Sequence, residues 1–231
     1  MAGRGAQLSL PVPPSWGGRR PGAGRKRVPG RRPGVPHGAR PPHVPTQPVH
    51  ATLRTVSAVR CLRAARVFPA VRRALAVASH SGFRILQFSV QHDHLHLLVE
   101  ADDRDRLSRG LQGLAIRVAR AVNRALGRRG PVWGDRFHWR APTTPREVRH
   151  ALVYVLMNLR KHVSGVRGLD PCSSARWFTG WRDGSGPGAD ERAPVARART
   201  WLAAVGWRRY GLLGRDEQPR GLPRGRRSGA P

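Results

Sequence analysis

Two histidines in residues 89–101, SVQHDHLHLLVEA, have a spacing that suits a metal site. In a strand, successive side chains point to opposite faces, so the apolar residues that alternate with the histidines can face a core. His94 and His96 then share the other face, where two imidazoles supply part of a ligand set for a cation. The segment is therefore predicted to be a strand with half a metal site. Imidazoles are also ordinary hydrogen-bonding groups on a sheet surface, so the pair alone does not decide between the two.

A second polar pattern follows in residues 144–164, TPREVRHALVYVLMNLRKHVS. Thr144 is a good N-cap, and apolar residues recur behind it at three- and four-residue steps, which predicts a helix over the whole segment. Tyr154 and Asn158 lie one turn apart on its polar side, with Lys161 nearby. Tyr154 is either a half-buried aromatic with its hydroxyl in water or a group that meets the histidine strand together with the Asn158 amide.

Further landmarks surround these two segments in a fixed order. Between them lies a long helical pattern followed by a Gly, Trp, Arg and Phe signature, formed by Gly130, Trp133, Arg136 and Phe137. After the tyrosine segment YVLMNLRKH comes SSARWF. From about residue 49 to residue 181, this order resembles the HUH family of single-strand DNA nucleases. Within that family, it is most similar to the single-tyrosine transposases of the insertion sequence 200-like group, especially the REP-associated tyrosine transposases.

The chain departs from the family pattern at two places. The family usually has proline directly after the asparagine, where this chain has Leu159. It usually has a Pro-Asn pair ahead of the first histidine, where this chain has His92 and Asp93. Neither departure removes a nucleophile or a metal ligand, so they concern the end of the helix and the entry into the strand.

The resemblance implies a reaction and a cofactor. Tyr154 would be the nucleophile that attacks a DNA phosphodiester and forms a 5′-phosphotyrosine link with a free 3′-hydroxyl. A divalent metal, Mg²⁺ or Mn²⁺, would be held by His94, His96 and Asn158 and would polarise the phosphate. Because the covalent link conserves the phosphodiester energy, another DNA end can reverse the step without ATP, and the sequence has no Gly-Lys-Ser/Thr phosphate loop.

The charge of the chain favours the same partner. The formal net charge is +30 over 231 residues, the sequence pI is near 12.0, and no acidic residue precedes Asp93. Such a balance is typical of polyanion binding, although a GC-rich genome also produces chains rich in Ala, Gly, Pro and Arg. We predict single-stranded or hairpin DNA as the partner. The predicted DNA contacts are basic residues in or near the Gly-rich turn and on the tyrosine helix: Arg128, Arg129, Arg136, Arg140 and Lys161.

The order of predicted elements indicates an α+β fold. Strands near residues 49–55, 83–90, 89–101 and 136–141 alternate with helices near residues 67–79, 105–127 and 144–164, which gives β-α-β-β-α-β-α. This is the ferredoxin-like split β-α-β plan, an antiparallel sheet with helices on one face. The other face would then be open to DNA or to a partner sheet.

The predicted domain organisation places one folded domain between basic tails. Residues 1–42 are a disordered Pro/Gly/Arg-rich tail, residues 43–182 the transposase domain, residues 183–191 a linker, residues 192–214 a short C-terminal helical segment and residues 215–231 a second disordered tail. Trp201, Trp207 and Tyr210 in the helical segment either stack on unpaired bases or pack back onto the domain. No run is long enough to span a bilayer, and Cys61 and Cys172 have no metal or disulfide spacing.

Three classes of function remain open. The first is a transposase that cleaves and rejoins hairpin DNA; the second is a domesticated DNA-hairpin binding protein without strand transfer; the third is a metal-dependent hydrolase that uses water as nucleophile. The intact set of Tyr154, His94, His96 and Asn158 favours the first. The resemblance also implies a homodimer, and we expect a cytoplasmic, nucleoid-associated bacterial protein.

Overall fold

A computed structural model describes residues 42–163, 168–187 and 192–219. The strands are β1 Val49–Arg54, β2 Phe83–Val90, β3 His94–Ala101 and β4 His138–Arg140. The helices are α1 Phe68–Ala76, α2 Arg104–Leu126, α3 Pro145–Leu156, α4 Asn158–His162 and α5 Trp201–Ala204, with 3-10 turns at Ala175–Trp177 and Gly206–Tyr210. The predicted β-α-β-β-α-β-α order is confirmed.

The four strands form one antiparallel sheet in the order β2-β3-β1-β4. β1 lies between β3 and β4, and its register pairs Thr52 with His96 on one side and with His138 on the other. Side chains directly opposite each other in adjacent strands point to the same face. The register therefore brings polar residues of β1, β3 and β4 together on one face. This is the predicted ferredoxin-like plan.

The other face of the sheet carries the larger core, which α1 and α2 cover. α2 begins where the Asp103 carboxylate accepts a hydrogen bond from the Arg106 backbone N–H at 2.6 Å, and it ends at Gly127, whose φ of 61° is the left-handed conformation that glycine favours. Between these caps an apolar stripe is buried against the sheet, formed by Leu107, Leu111, Leu114, Val118 and Val122.

The prediction that the helices lie on one face is correct for α1 and α2 and wrong for α3. α3 packs on the opposite face, where Leu86 of β2 and Leu98 of β3 form a second core with its apolar side. The physical reason lies in β3 itself, because the histidine face continues into the apolar Leu98 one position beyond His96 along that face. α3 packs on this apolar surface. The face is therefore covered by the tyrosine helix and is not open.

The tyrosine helix is shorter than its sequence pattern predicts. The Thr144 hydroxyl accepts a hydrogen bond from the Glu147 N–H, as the capping pattern predicts, but α3 ends at Leu156. Met157 has φ −107° and ψ 15°, and the separate short helix α4 follows it. The apolar stripe also fails at its far end, because Val163 is 49% exposed.

The C-terminal segment packs on α3 and on β3. The carboxylate of Glu100, which is fully buried, accepts hydrogen bonds from the backbone N–H groups of Arg199 and Thr200 and from the Thr200 hydroxyl. Trp207 is buried in the second core, which supports packing rather than base stacking for this residue, whereas Trp201 and Tyr210 are about half exposed. The segment therefore forms the outer layer over α3.

The predicted domain boundaries stay predictions. Of the predicted N-terminal tail, only residue 42 is described, and residues 188–191 and 220–231 lie outside the described residues. Near the start of the predicted C-terminal tail, Glu217 accepts hydrogen bonds from both Nη atoms of Arg149 at 2.9 and 2.7 Å. No helix in the described parts of the chain is long and apolar enough to cross a bilayer.

Candidate active site

The histidine strand and the tyrosine helix meet on one face of the sheet. The rings of His94 and His96 have centroids 4.6 Å apart, and the ring of Tyr154 lies edge-on to His96 at 5.1 Å. Lys161 Nζ donates a hydrogen bond to the Tyr154 hydroxyl at 3.3 Å. One chain thus places a phenol, two imidazoles and an ammonium group in a single cluster, which we call the histidine-tyrosine cluster.

His94 is oriented by the residue that precedes it. Its Nδ1 lies 2.6 Å from Oδ1 of Asp93, and Arg54 forms an ion pair with the other carboxylate oxygen of Asp93. A proton on Nδ1, donated to the carboxylate, leaves Nε2 as a lone-pair donor. Burial lowers the pKa of His94, although Asp93 opposes the shift. The lowered pKa favours the neutral imidazole, which is the form in which histidine binds metals.

His96 has one satisfied ring nitrogen and one that is not. Its Nδ1 lies 3.1 Å from the Thr52 hydroxyl and 3.3 Å from His50 Nε2. Its Nε2 is buried and makes no hydrogen bond to any described residue. Burial, reinforced by the neighbouring imidazoles of His50 and His94, holds the pKa of His96 well below its usual value. His96 is therefore a neutral imidazole with a free, buried nitrogen.

Asn158 has the same property in amide form. The residue is completely buried, and neither its Oδ1 nor its Nδ2 has a hydrogen-bond partner in the described part of the chain. Buried polar groups are nearly always hydrogen-bonded, and each exception costs about 1–3 kcal/mol. A set of two imidazole nitrogens and one amide oxygen fits a divalent cation with water in its remaining positions. No group of three His, Cys, Asp or Glu side chains in the described ranges is placed to hold a metal. The assignment of Asn158 as a ligand stays a prediction.

Two further histidines belong to this cluster and were missed in the sequence. His50 of β1 stacks on His96 with centroids 5.2 Å apart and lies 5.5 Å from the Tyr154 ring. Burial, with smaller contributions from His138 and Arg140, lowers the pKa of His50 to about 4. The alternation of polar and apolar residues in VHATLR was the available signal. The second is His162, whose ring lies 5.7 Å from that of His94. In the sequence, a histidine near the end of a helix is equally well explained by a favourable interaction with the helix dipole.

The predicted DNA contacts lie in different places. Arg140 of β4 pairs with Glu147 at 2.9 Å, and Arg136 is half-buried beside α2. Arg128 donates to the Asn123 side chain and to the Pro131 carbonyl, while Arg129 is exposed. Lys161 lies in the histidine-tyrosine cluster itself. The role of these five residues in DNA binding stays a prediction.

Comparison with known proteins addresses the family. Residues 49–142 match the family model of the IS200-like transposases, a stretch that contains the histidine strand and ends before α3. Among solved structures, the chain is similar to one described as a REP-associated tyrosine transposase bound to a REP hairpin. The two are 17% identical with a TM-score of 0.51, and the match covers 71% of this chain and 99% of that one. No curated protein sequence matches the chain.

The two findings concern different levels of the molecule. The family model matches the sequence around His94 and His96, whereas the solved structure shows a shared fold that also extends over much of the rest of the chain. The family resemblance seen in the sequence is thereby confirmed: residues 49–142 carry the sequence pattern of the IS200-like transposases, and they do so within the fold of a tyrosine transposase.

Proposed function

We propose that this protein is a single-tyrosine transposase that cleaves and rejoins single-stranded hairpin DNA through a 5′-phosphotyrosine intermediate. The observation that carries the proposal is the contact between Tyr154 and His96, at 5.1 Å between ring centroids. The His96 Nε2 atom and both polar side-chain atoms of Asn158 are buried and have no hydrogen-bond partner among the described residues. A tyrosine that served only to pack α3 would not need a lysine on its hydroxyl or a partnerless amide one turn away.

The residues that would hold a divalent metal, Mg²⁺ or Mn²⁺, are His94, His96 and Asn158. Such a cation, when bound, polarises the phosphate oxygens and neutralises developing negative charge. Hydrogen bonds within the chain orient the two proposed histidine ligands. Asp93 fixes the ring of His94, Thr52 and His50 fix that of His96, and the low pKa values of both rings keep them neutral.

The covalent step belongs to Tyr154. Its phenolic oxygen forms a bond to the phosphorus, the bond from phosphorus to the 3′-oxygen breaks, and the phenolic proton is released while the leaving oxygen gains a proton. Lys161, which donates to the phenolic oxygen, places a positive charge where the phosphate approaches. Attack of a 3′-hydroxyl on the phosphotyrosine reverses the step and joins two DNA ends.

The proposed DNA partner follows from charge and from similarity. The net charge of +30 favours a polyanion, and the similar solved structure is described as bound to a REP hairpin. The histidine-tyrosine cluster is assembled within one chain, so a second copy is not required to bring Tyr154 to the histidines. The homodimer stays a separate prediction, which light scattering of the purified protein in solution would test.

The experiment uses labelled single-stranded hairpin DNA from the sequence flanking the gene, incubated with the full chain in Mg²⁺, Mn²⁺ or EDTA. We expect a denaturant-resistant protein-DNA adduct that requires the metal and is lost in Tyr154→Phe. Tyr210→Phe is the matched control, because the chain has only two tyrosines and Tyr210 lies outside the cluster. Binding without an adduct would favour a hairpin-binding protein, and cleavage without an adduct would favour a hydrolase.

A further inference from the structure

We propose that a cavity between β4 and the first half of α2 binds one unpaired base of the DNA, on the opposite face of the sheet from the histidine-tyrosine cluster. The inference rests on the proposed function, because it specifies how the same DNA is recognised. We call this space the base pocket.

The base pocket has a volume of about 510 Å³, which is within the range of small-molecule sites. Three half-buried aromatic rings line it, those of Trp133, Phe137 and Trp139. Trp133 Nε1 donates to the Ala115 carbonyl of α2 at 2.8 Å, so that the indole is fixed by its polar edge. A ring held in this way is pre-organised to present a flat surface.

The chemistry of the pocket rim matches a nucleobase better than a purely apolar ligand. Ser108 and Gln112, both exposed on α2, bring a hydroxyl and an amide to the opening, and Asp135 adds a carboxylate. Amide and carboxylate groups recognise the donor and acceptor edges of bases, and aromatic rings stack on their faces. Arg104 and Arg136, also in the lining, supply positive charge for the phosphates on either side of such a base.

The position of β4 connects the base pocket to the histidine-tyrosine cluster. β4 is an edge strand, and its register sets His138 opposite Thr52 and Trp139 opposite Ala51. Thr52 lies on the face of His96, whereas Ala51 belongs to the core under α2. Adjacent residues of one edge strand thus face the two sites. A single strand that passes around this edge reaches both within a few nucleotides.

The test measures binding of the full chain to hairpin DNA with a single-stranded flank, in EDTA so that no cleavage occurs. An abasic site or 2-aminopurine replaces each flank nucleotide in turn. Stacking of a base on an aromatic ring is worth about a 5- to 150-fold change in affinity, so we expect Trp139→Ala to weaken binding by a factor in that range. Gln112→Ala, an exposed helix position that tolerates alanine, should weaken it as well. Ile116→Ala, at an exposed apolar residue of α2 outside the pocket lining, is the matched control and should leave affinity unchanged.

The decisive result is an interaction between protein and DNA changes. We expect one flank position where an abasic site causes the same loss as Trp139→Ala and where the two losses do not add, together with quenching of 2-aminopurine at that position. Losses that add at every position, or unchanged affinity in both pocket variants, overturn the base pocket. If the wild-type chain forms the Tyr154 adduct while these tests fail, only the base pocket is wrong. If it neither binds hairpin DNA nor forms an adduct, the proposed function fails too.

Discussion

Replacing Asn158 with leucine is expected to stabilise the metal-free protein, although it removes a proposed ligand. The side chain is fully buried and neither of its polar atoms has a hydrogen-bond partner among the described residues. Leucine has nearly the same shape and needs no partner. Since an unsatisfied buried polar group costs about 1–3 kcal/mol, the free energy of unfolding should rise by about that amount. For a protein of this size, each kcal/mol corresponds to about 2–4 °C in Tm.

The assay is thermal unfolding with and without a divalent cation. In EDTA, Asn158→Leu should melt at a higher temperature than the wild type. With Mn²⁺ at about 100 times its dissociation constant, the wild type should gain about 2.7 kcal/mol, because the cation binds the folded state alone. The variant should lose most of this gain. With Mn²⁺, the wild type should therefore melt at the same temperature as the variant or at a higher one, whereas in EDTA it melts at a lower one.

A matched control is available in Asn123, whose amide is satisfied by the Gly130 carbonyl and the Arg128 guanidinium. Asn123→Leu breaks existing hydrogen bonds, so it should lower Tm and leave the response to Mn²⁺ intact. Our reasoning would be refuted if Asn158→Leu melted below the wild type in EDTA. It would also be refuted if Mn²⁺ stabilised this variant as much as the wild type.

Three further predictions concern stability and metal affinity. Burial lowers the pKa of His50 from 6.5 in the unfolded chain to about 4. Below pH 6.5 the unfolded chain therefore binds a proton that the folded His50 does not bind. The free energy of unfolding should fall by about 3 kcal/mol as the pH is lowered from above 6.5 toward 4. Urea unfolding of His50→Phe should therefore depend less on pH in this range, and an unchanged slope would contradict the assignment. Glu100→Ala leaves the buried guanidinium of Arg84 without its ion-pair partner and Thr200 without its acceptor, so it should cost about 3–5 kcal/mol in urea unfolding. Glu100→Gln should retain part of this stability, and a loss below about 1 kcal/mol would show that this anchor is dispensable. Asp93→Ala frees the ring of His94 and should weaken Mn²⁺ binding about 10- to 100-fold by calorimetry, with Asp93→Asn in between, whereas equal affinities would exclude an orienting role.

The sequence predicts the elements well because their signals are local. The alternation around His94 and His96 identifies β3, and the capping residues with the three- and four-residue apolar steps identify α3. Both the strand and the helix appear in the structure with at least one end near the predicted residue. The break at Met157 has no equivalent local signal, because neither glycine nor proline occurs there.

The arrangement of elements around the site depends on contacts that no local pattern contains. His50 is 46 residues from His96 in the chain, and only the register between β1 and β3 brings the two rings together. The placement of α3 likewise depends on Leu98. The sequence predicts that Leu98 lies in β3, but it does not predict which helix packs against it. Burial then lowers the pKa values of His50 and His96. Composition and residue spacing do not predict this burial.

The outer layer over α3 implies that the smallest part of the chain able to hold Tyr154 in place extends into the C-terminal segment. The guanidinium of Arg149 in α3 donates hydrogen bonds to the carbonyls of Gly211 and Leu212 and to the carboxylate of Glu217. The helix that carries Tyr154 is thus secured on its outward side by residues some 60 positions later in the chain, well beyond the stretch that matches the transposase family. Trimming the chain to that stretch would keep the histidines and discard both the tyrosine and its support. Changes in the C-terminal segment would therefore act on the position of Tyr154, the proposed nucleophile, without altering the histidine strand.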